Sequence, residues 1–113
     1  MQTEIVERGD VTILRALEKR IDAGISGELK EQLGALVADG RRNIILDISG
    51  VEFLDSSGLG AIISGLKAIG EDGRLVICGA TDPVKSMFRL TRMDRIFEMY
   101  DNEAQSLQAF GQA

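Results

Sequence analysis

An α/β domain with a mixed β-sheet is the fold the sequence predicts, with helices packed mainly on one face and elements in the order ββαβαβαβα. Three observations carry it. Two β-rich runs meet at a Gly-Asp pair, short apolar runs alternate with helical periodicity, and no Pro- or Ser-rich linker divides the chain, so residues 1–113 read as one domain.

Glu4 to Glu7 and Val11 to Leu17 are the β-rich runs, and Gly9-Asp10 suits a two-residue hairpin turn. After Ile21-Asp22-Ala23-Gly24, the residues Ile25, Leu29, Leu33, Leu36 and Val37 form an amphipathic helical stripe, with Ser26 as N-cap and Gly40 at its end. Asn43 to Ile48 is a continuous apolar run of the kind found in strands buried on both faces. A second helix follows Asp55, with Leu59, Ile62, Ile63, Leu66 and Ile69 on one side, and Arg74 to Cys78 is another buried strand. Asp39-Gly40-Arg41 and Asp72-Gly73-Arg74 echo each other as αβ turns, each expected to close a helix and lead into an apolar strand. Ile44 to Gly79 is therefore expected to be a β-α-β unit with parallel strands and a right-handed crossover. Asp82 is placed to cap a third helix with Pro83 at its first position; Ile96 to Tyr100 is a last strand, and Glu103 to Phe110 a closing helix.

Composition excludes much chemistry. The chain has no histidine, so Ser-His-Asp and Cys-His catalysis are out, and the commonest metal ligand is missing; neither metal nor cofactor is expected. Thirteen basic against 18 acidic side chains give a net charge of −5, and only 4% of residues are aromatic, which argues against direct nucleic-acid binding. The single Cys78 reads as a small buried hydrophobe, and no apolar run approaches the roughly 20 residues of a membrane helix. With a polar, acidic start in place of a signal peptide, the expected location is cytoplasmic, without membrane insertion.

One segment carries chemistry: Asp47-Ile48-Ser49-Gly50-Val51-Glu52-Phe53-Leu54-Asp55-Ser56-Ser57-Gly58-Leu59-Gly60. Helix capping by Asp55 or Ser56 is the plainest reading of its hydroxyl and acidic residues. At 100° per residue, Ser56 falls in line with Leu59 and Ile63, whereas Ser57 falls in line with Ala61, Ser64 and Ala68, so Ser57 is expected to face outward. Its stripe, with Gly60, carries only small side chains. Such a face lets a partner approach closely; the alternative is that it packs under another element of the same domain. A hydroxyl at a helix start also tolerates a phosphate, since first-turn N–H groups and the dipole favour an added charge of about −1.5 to −2. In an interface that charge would repel acidic neighbours such as Asp22, Asp47 and Asp55. A penalty of about 3 kcal/mol would weaken binding on the order of 150-fold.

This segment resembles the signature of the STAS-domain anti-sigma factor antagonists (anti-anti-sigma factors) of bacteria. Ile21-Asp22-Ala23, Gly73-Arg74-Leu75-Val76-Ile77-Cys78-Gly79 and Leu90-Thr91-Arg92-Met93-Asp94-Arg95-Ile96-Phe97 extend the likeness over almost the whole chain. The resemblance implies a single STAS-like domain that is a ligand and substrate and not an enzyme. The unmodified antagonist binds an anti-sigma factor that is itself a serine kinase, freeing a sigma factor; phosphorylation of the second serine, here Ser57, blocks binding, and a serine phosphatase restores it. The same resemblance implies that Asp22, Asp55, Ser56, Gly58, Leu59 and Gly60 meet the partner, and the small-residue stripe adds Ala61 and Ser64. Two departures bear on partner choice: Lys19 stands where members often have Gly, and no proline follows Ala23. An alternative within the fold is an adaptor subunit of a larger lipid-transport or stress-sensing complex.

Other readings fit poorly. A phosphoacceptor receiver needs an acidic pair after its first strand, and only Asp10 and Asp22 are available, in different loops. Ser56-Ser57-Gly58 is not G-x-S-x-G, and no P-loop or dinucleotide glycine pattern occurs. Met87, Phe88, Met93, Phe97 and Met99 read as core. Arg89, Arg92 and Arg95, spaced by threes, read as a solvated helix end suited to the negative dipole, or as a hold for an acidic partner.

Overall fold

In the computed structural model, which describes residues 1–112, the chain opens as the hairpin expected. Strand β1 (Thr3–Arg8) pairs antiparallel with β2 (Val11–Ala16), and Gly9 takes φ +61° at the turn, a left-handed value suited to glycine. A five-stranded sheet continues in the order β1-β2-β4-β6-β7 through β4 (Asn43–Asp47), β6 (Arg74–Cys78) and β7 (Glu98–Tyr100), all parallel after the first pair. The helices are α1 (Ser26–Ala38), α2 (Ser56–Ile69), α3 (Asp82–Leu90) and α4 (Glu103–Ala109).

Alternation along the strands builds two apolar layers. Leu14, Ile44, Leu46, Leu75 and Ile77 face the main core with Leu29, Leu33 and Ile62 of α1 and α2, and with Phe88 of α3. Phe88 and Phe97 meet edge to face at 5.8 Å. On the other face Val11, Ile13, Ile45 and Cys78 lie under Leu107 and Phe110, next to and within α4. Three helices on one face and a short one on the other match the predicted arrangement.

Several local expectations need correction. Two short strands, β3 (Arg20–Ile21) and β5 (Phe53–Leu54), form a separate parallel pair that periodicity over longer windows cannot reveal. Ser26 is the first residue of α1 and does not cap it; the Asp22 carbonyl already accepts from the Ile25 and Ser26 N–H groups, at 3.0 and 2.8 Å. Asp82 is likewise inside α3, and Thr81 precedes it with its hydroxyl turned to the Val51 carbonyl at 2.9 Å. Helix α2 closes at Gly70 (φ +63°), not Gly73, whose missing Cβ allows the Arg42 carbonyl to approach. A single 3-10 turn, Met93–Arg95, delays the last strand to Glu98 and leaves Ile96 exposed. Arg92 adopts φ +61° and breaks the helical path, so Arg89, Arg92 and Arg95 do not share one helix.

Candidate functional site

The β3–β5 pair organises the serine corner. Ile21 stands opposite Leu54, both buried, and the Asp55 N–H donates to the Ile21 carbonyl at 3.3 Å. The turn after Asp22 is thereby held against the start of α2. Asp22 Oδ1 accepts from Gly24 N at 3.0 Å and shapes that turn. Close approach needs Gly58: a Cβ there would lie 2.6 Å from the Ile21 carbonyl oxygen.

Asp55 is the N-cap of α2, as expected. Its Oδ1 accepts from the Ser57 hydroxyl at 2.6 Å and from Gly58 N at 2.9 Å. The Ser57 hydroxyl, then the Gly58 N–H, hold the Asp55 carboxyl below its ordinary pKa, with the backbones of Ser57 and Ala23 assisting.

The two serines are reversed from the sequence expectation: Ser56 is exposed, and Ser57 is half-buried with its hydroxyl committed to Asp55. The cause is the true contact stripe of α2. Gly58, Ala61 and Gly65 are buried with Leu59, Ile62 and Ile69, so the helix is rotated from where its large apolar residues alone would set it. Gly65 lies where a Cβ would meet the Leu33 side chain of α1. At 100° per residue, Ser56 then sits about 150° from that stripe, in line with Gly60 and Lys67. Gly60 has open space where a side chain would be.

Of the residues expected to meet a partner, the structure brings Asp22, Asp55, Ser56, Ser57 and Gly60 to one corner, with half-buried Ser64 further along α2. Gly58, Leu59 and Ala61 are core residues, at most 5% exposed among the latter two, and support the corner from beneath. Asp47 is elsewhere: its Oδ1 accepts from Ser49 N, and its carboxyl adjoins Glu103 of α4. Burial, and then Glu103, raise the Asp47 pKa. Arg15 grips Glu103 through two 2.8 Å bonds. Cys78 is buried, which pushes its thiol up to about 12, outside the range of a reactive thiolate.

Sequence reasoning missed Arg20 and Phe53. They are paired across β3–β5, and the Arg20 guanidinium carbon lies 4.1 Å from the Phe53 ring centroid. The available signal was a Phe two residues before the Asp-Ser-Ser run, in a chain with few aromatics. Among the described residues, no three metal-ligating side chains converge, and no helix is long and apolar enough to cross a membrane.

A mixed sheet bearing a capped, serine-led helix beside a small parallel strand pair defines a STAS fold. The STAS domain family matches residues 2–106, and the chain belongs to that family. It is 28% identical over 109 residues to the anti-sigma F factor antagonist of Paenibacillus polymyxa, covering 95% of this chain and 92% of the relative. It is 35% identical over 77 residues to an anti-sigma-B factor antagonist of Staphylococcus aureus, covering 67% and 69%. The crystal structure of an anti-sigma factor antagonist from Mycobacterium paratuberculosis superimposes with a TM-score of 0.88 at 25% identity, covering 96% and 92%. These relatives are named as regulators that oppose another protein, not as enzymes.

Proposed function

We propose that this chain is an anti-sigma factor antagonist of a partner-switching pathway. Its unphosphorylated form binds an anti-sigma factor that is also a serine kinase and so frees a sigma factor; phosphorylation at the serine corner ends binding, and a serine phosphatase restores it. The observation that carries this reading is the exposed Ser56 at the first turn of α2, flanked by Asp55 and by the Asp22 turn.

The physics favours Ser56 as acceptor. Its hydroxyl is open to a kinase, whereas Ser57 would first surrender a 2.6 Å bond to a carboxylate. Phosphate at the first turn is compatible with the helix dipole, so the fold survives. Against a partner, the added charge and the acidity of Asp22 and Asp55 oppose contact, and a penalty of about 3 kcal/mol lowers affinity on the order of 150-fold.

The test is to mix the purified chain with the serine-kinase anti-sigma factors of its source organism and ATP, and to map phosphate by mass spectrometry. Phosphate on Ser56, binding by Ser56→Ala and loss of binding by Ser56→Asp are expected. Phosphate on Ser57 would return the acceptor to the residue the family likeness first indicated. Failure to bind any such factor, or co-purification with a larger assembly that tolerates Ser56→Asp, would overturn the switch in favour of an adaptor.

A further inference from the structure

We infer that the Arg20–Phe53 pair selects the partner, and that the partner meets it with a carboxylate set beside an apolar side chain. This rests on the antagonist reading above. Arg20 and Phe53 stand opposite each other in the parallel β3–β5 register, one residue before Ile21 and Leu54. Ile21 and Leu54 are in the core, so the alternation of strand side chains turns Arg20 and Phe53 to the outer side. The same two strands lead directly into Asp22 and into Asp55-Ser56, so the pair borders the serine corner.

The platform is exposed and fixed, and only a long ion pair to Asp22 engages its guanidinium. Phe53 is 39% exposed, whereas Phe88 and Phe97 are buried and Tyr100 and Phe110 lie half-buried on the α4 side. The Lys19 carbonyl accepts from Glu52 N at 2.7 Å and from Phe53 N at 3.1 Å, which locks both strands at this point. Stacking at 4.1 Å preorganises the guanidinium and leaves its N–H edge free. Its ion pair with Asp22 is long, at 3.9 Å, while Arg15 and Arg74 make close bonds to Glu103 and Glu98.

Charge complementarity fixes the occupant. The exposed Arg20 guanidinium is the cation this face presents, in a chain of net charge −5, and its one acidic contact, Asp22, is long. A planar guanidinium on an aromatic ring takes a carboxylate at its edge and an apolar group on the remaining ring surface, and Arg and aromatic residues dominate the energy of many interfaces. The partner segment is therefore acidic and apolar together, approaching from the β3 side.

The test uses the unphosphorylated full chain and whichever purified anti-sigma factor binds it, measured by titration calorimetry. Arg20→Glu and Phe53→Ala are each expected to weaken binding at least 30-fold, and Arg20→Gln about 10-fold. Arg42→Glu, an equal charge change at a distant exposed site, is expected to stay within twofold. A matching carboxylate-to-lysine change in the partner restores affinity to Arg20→Glu. Circular dichroism melts identify any variant that fails to fold, in which case Arg20→Gln and Phe53→Leu stand in. Binding by folded Arg20→Glu and Phe53→Ala within twofold of wild type overturns the inference while leaving the antagonist reading intact; absence of any binding by wild type defeats the antagonist reading itself.

Discussion

The Ser57 hydroxyl and the Gly58 N–H converge on one oxygen, Asp55 Oδ1, at 2.6 and 2.9 Å. Ser57 thus works inside the molecule, holding the capping carboxylate in place.

Ser57→Ala is expected to lower stability by about 1 kcal/mol, the usual worth of one such bond, with Gly58 still capped. Asp55→Ala loses both bonds and is expected to melt lower than Ser57→Ala. Because the Ser57 hydroxyl is the largest cause of the lowered Asp55 pKa, Ser57→Ala shifts that pKa upward. A carboxyl whose folded pKa is depressed contributes stability above its unfolded value and loses it as pH falls through the folded value. The gap between wild type and Ser57→Ala is therefore largest near neutral pH and narrows below about pH 4. Melts at a series of pH values check this, and a constant gap would refute it.

Two glycines of α2 are expected to respond oppositely to alanine. At Gly58 a Cβ would sit 2.6 Å from both the Ile21 carbonyl oxygen and the Leu54 side chain, so Gly58→Ala must pry α2 from β3–β5 and costs about 1–3 kcal/mol. Gly60 has nothing within 4 Å of its would-be Cβ, so Gly60→Ala gains helix propensity, about 0.5–1 kcal/mol. If Gly60 meets the partner, as the family resemblance implies, the same change weakens binding while raising the melting temperature. Paired melting and binding measurements separate the two effects.

The five-stranded sheet and its helices were legible because each long element has its own period, and because Gly9-Asp10, Gly40 and Asp55 punctuate it. The orientation of α2 was not. Gly58, Ala61 and Gly65 are silent in a hydrophobic pattern yet are buried because α2 comes close to β3–β5 and α1, and that closeness is a tertiary fact. The same blindness hid the two-residue strands, and with them the Arg20–Phe53 pair. Asp47 looked like part of the serine corner through sequence proximity alone, while the strand end turned it toward α4.

That turn gives Asp47 a cost. Burial and the neighbouring Glu103 raise its pKa, while Arg15 holds Glu103 down to about 2. The two carboxyls titrate as a pair, with opposite signs. A raised folded pKa stabilises at low pH and loses that contribution as pH rises through the folded value, so ionised Asp47 is unfavourable at pH 7. Asp47→Asn keeps the acceptor for Ser49 N and can donate to Glu103, so it is expected to raise the melting temperature at pH 7, with the advantage shrinking on acidification. Glu103→Gln weakens the Arg15 grip and is expected to lower it at pH 7; the Glu103 contribution fades as pH falls from about 4.5 toward 2. Thermal melts of both variants from pH 7 to pH 3 test the opposed signs.

Arg92 gives the last prediction. It is the one non-glycine residue with positive φ among those described, at +61°, just past the end of α3. The chain needs a left-handed residue there: Arg92 N donates to the Arg89 carbonyl at 3.1 Å, and the Thr91 hydroxyl returns to Met87 at 2.7 Å, closing the helix before the 3-10 turn. Left-handed backbone costs an L-residue with a Cβ about 1–2 kcal/mol, and glycine avoids this while adding some unfolded-state entropy. Arg92→Gly is therefore expected to stabilise by up to about 1 kcal/mol, a rise of roughly 4 °C for a domain of this size. Arg95→Gly, at a position with negative φ, lacks that relief and is expected to destabilise. The difference between the two isolates backbone strain from loss of positive charge, since both remove one arginine; equal shifts in both melts would mean that charge, not strain, governs this turn.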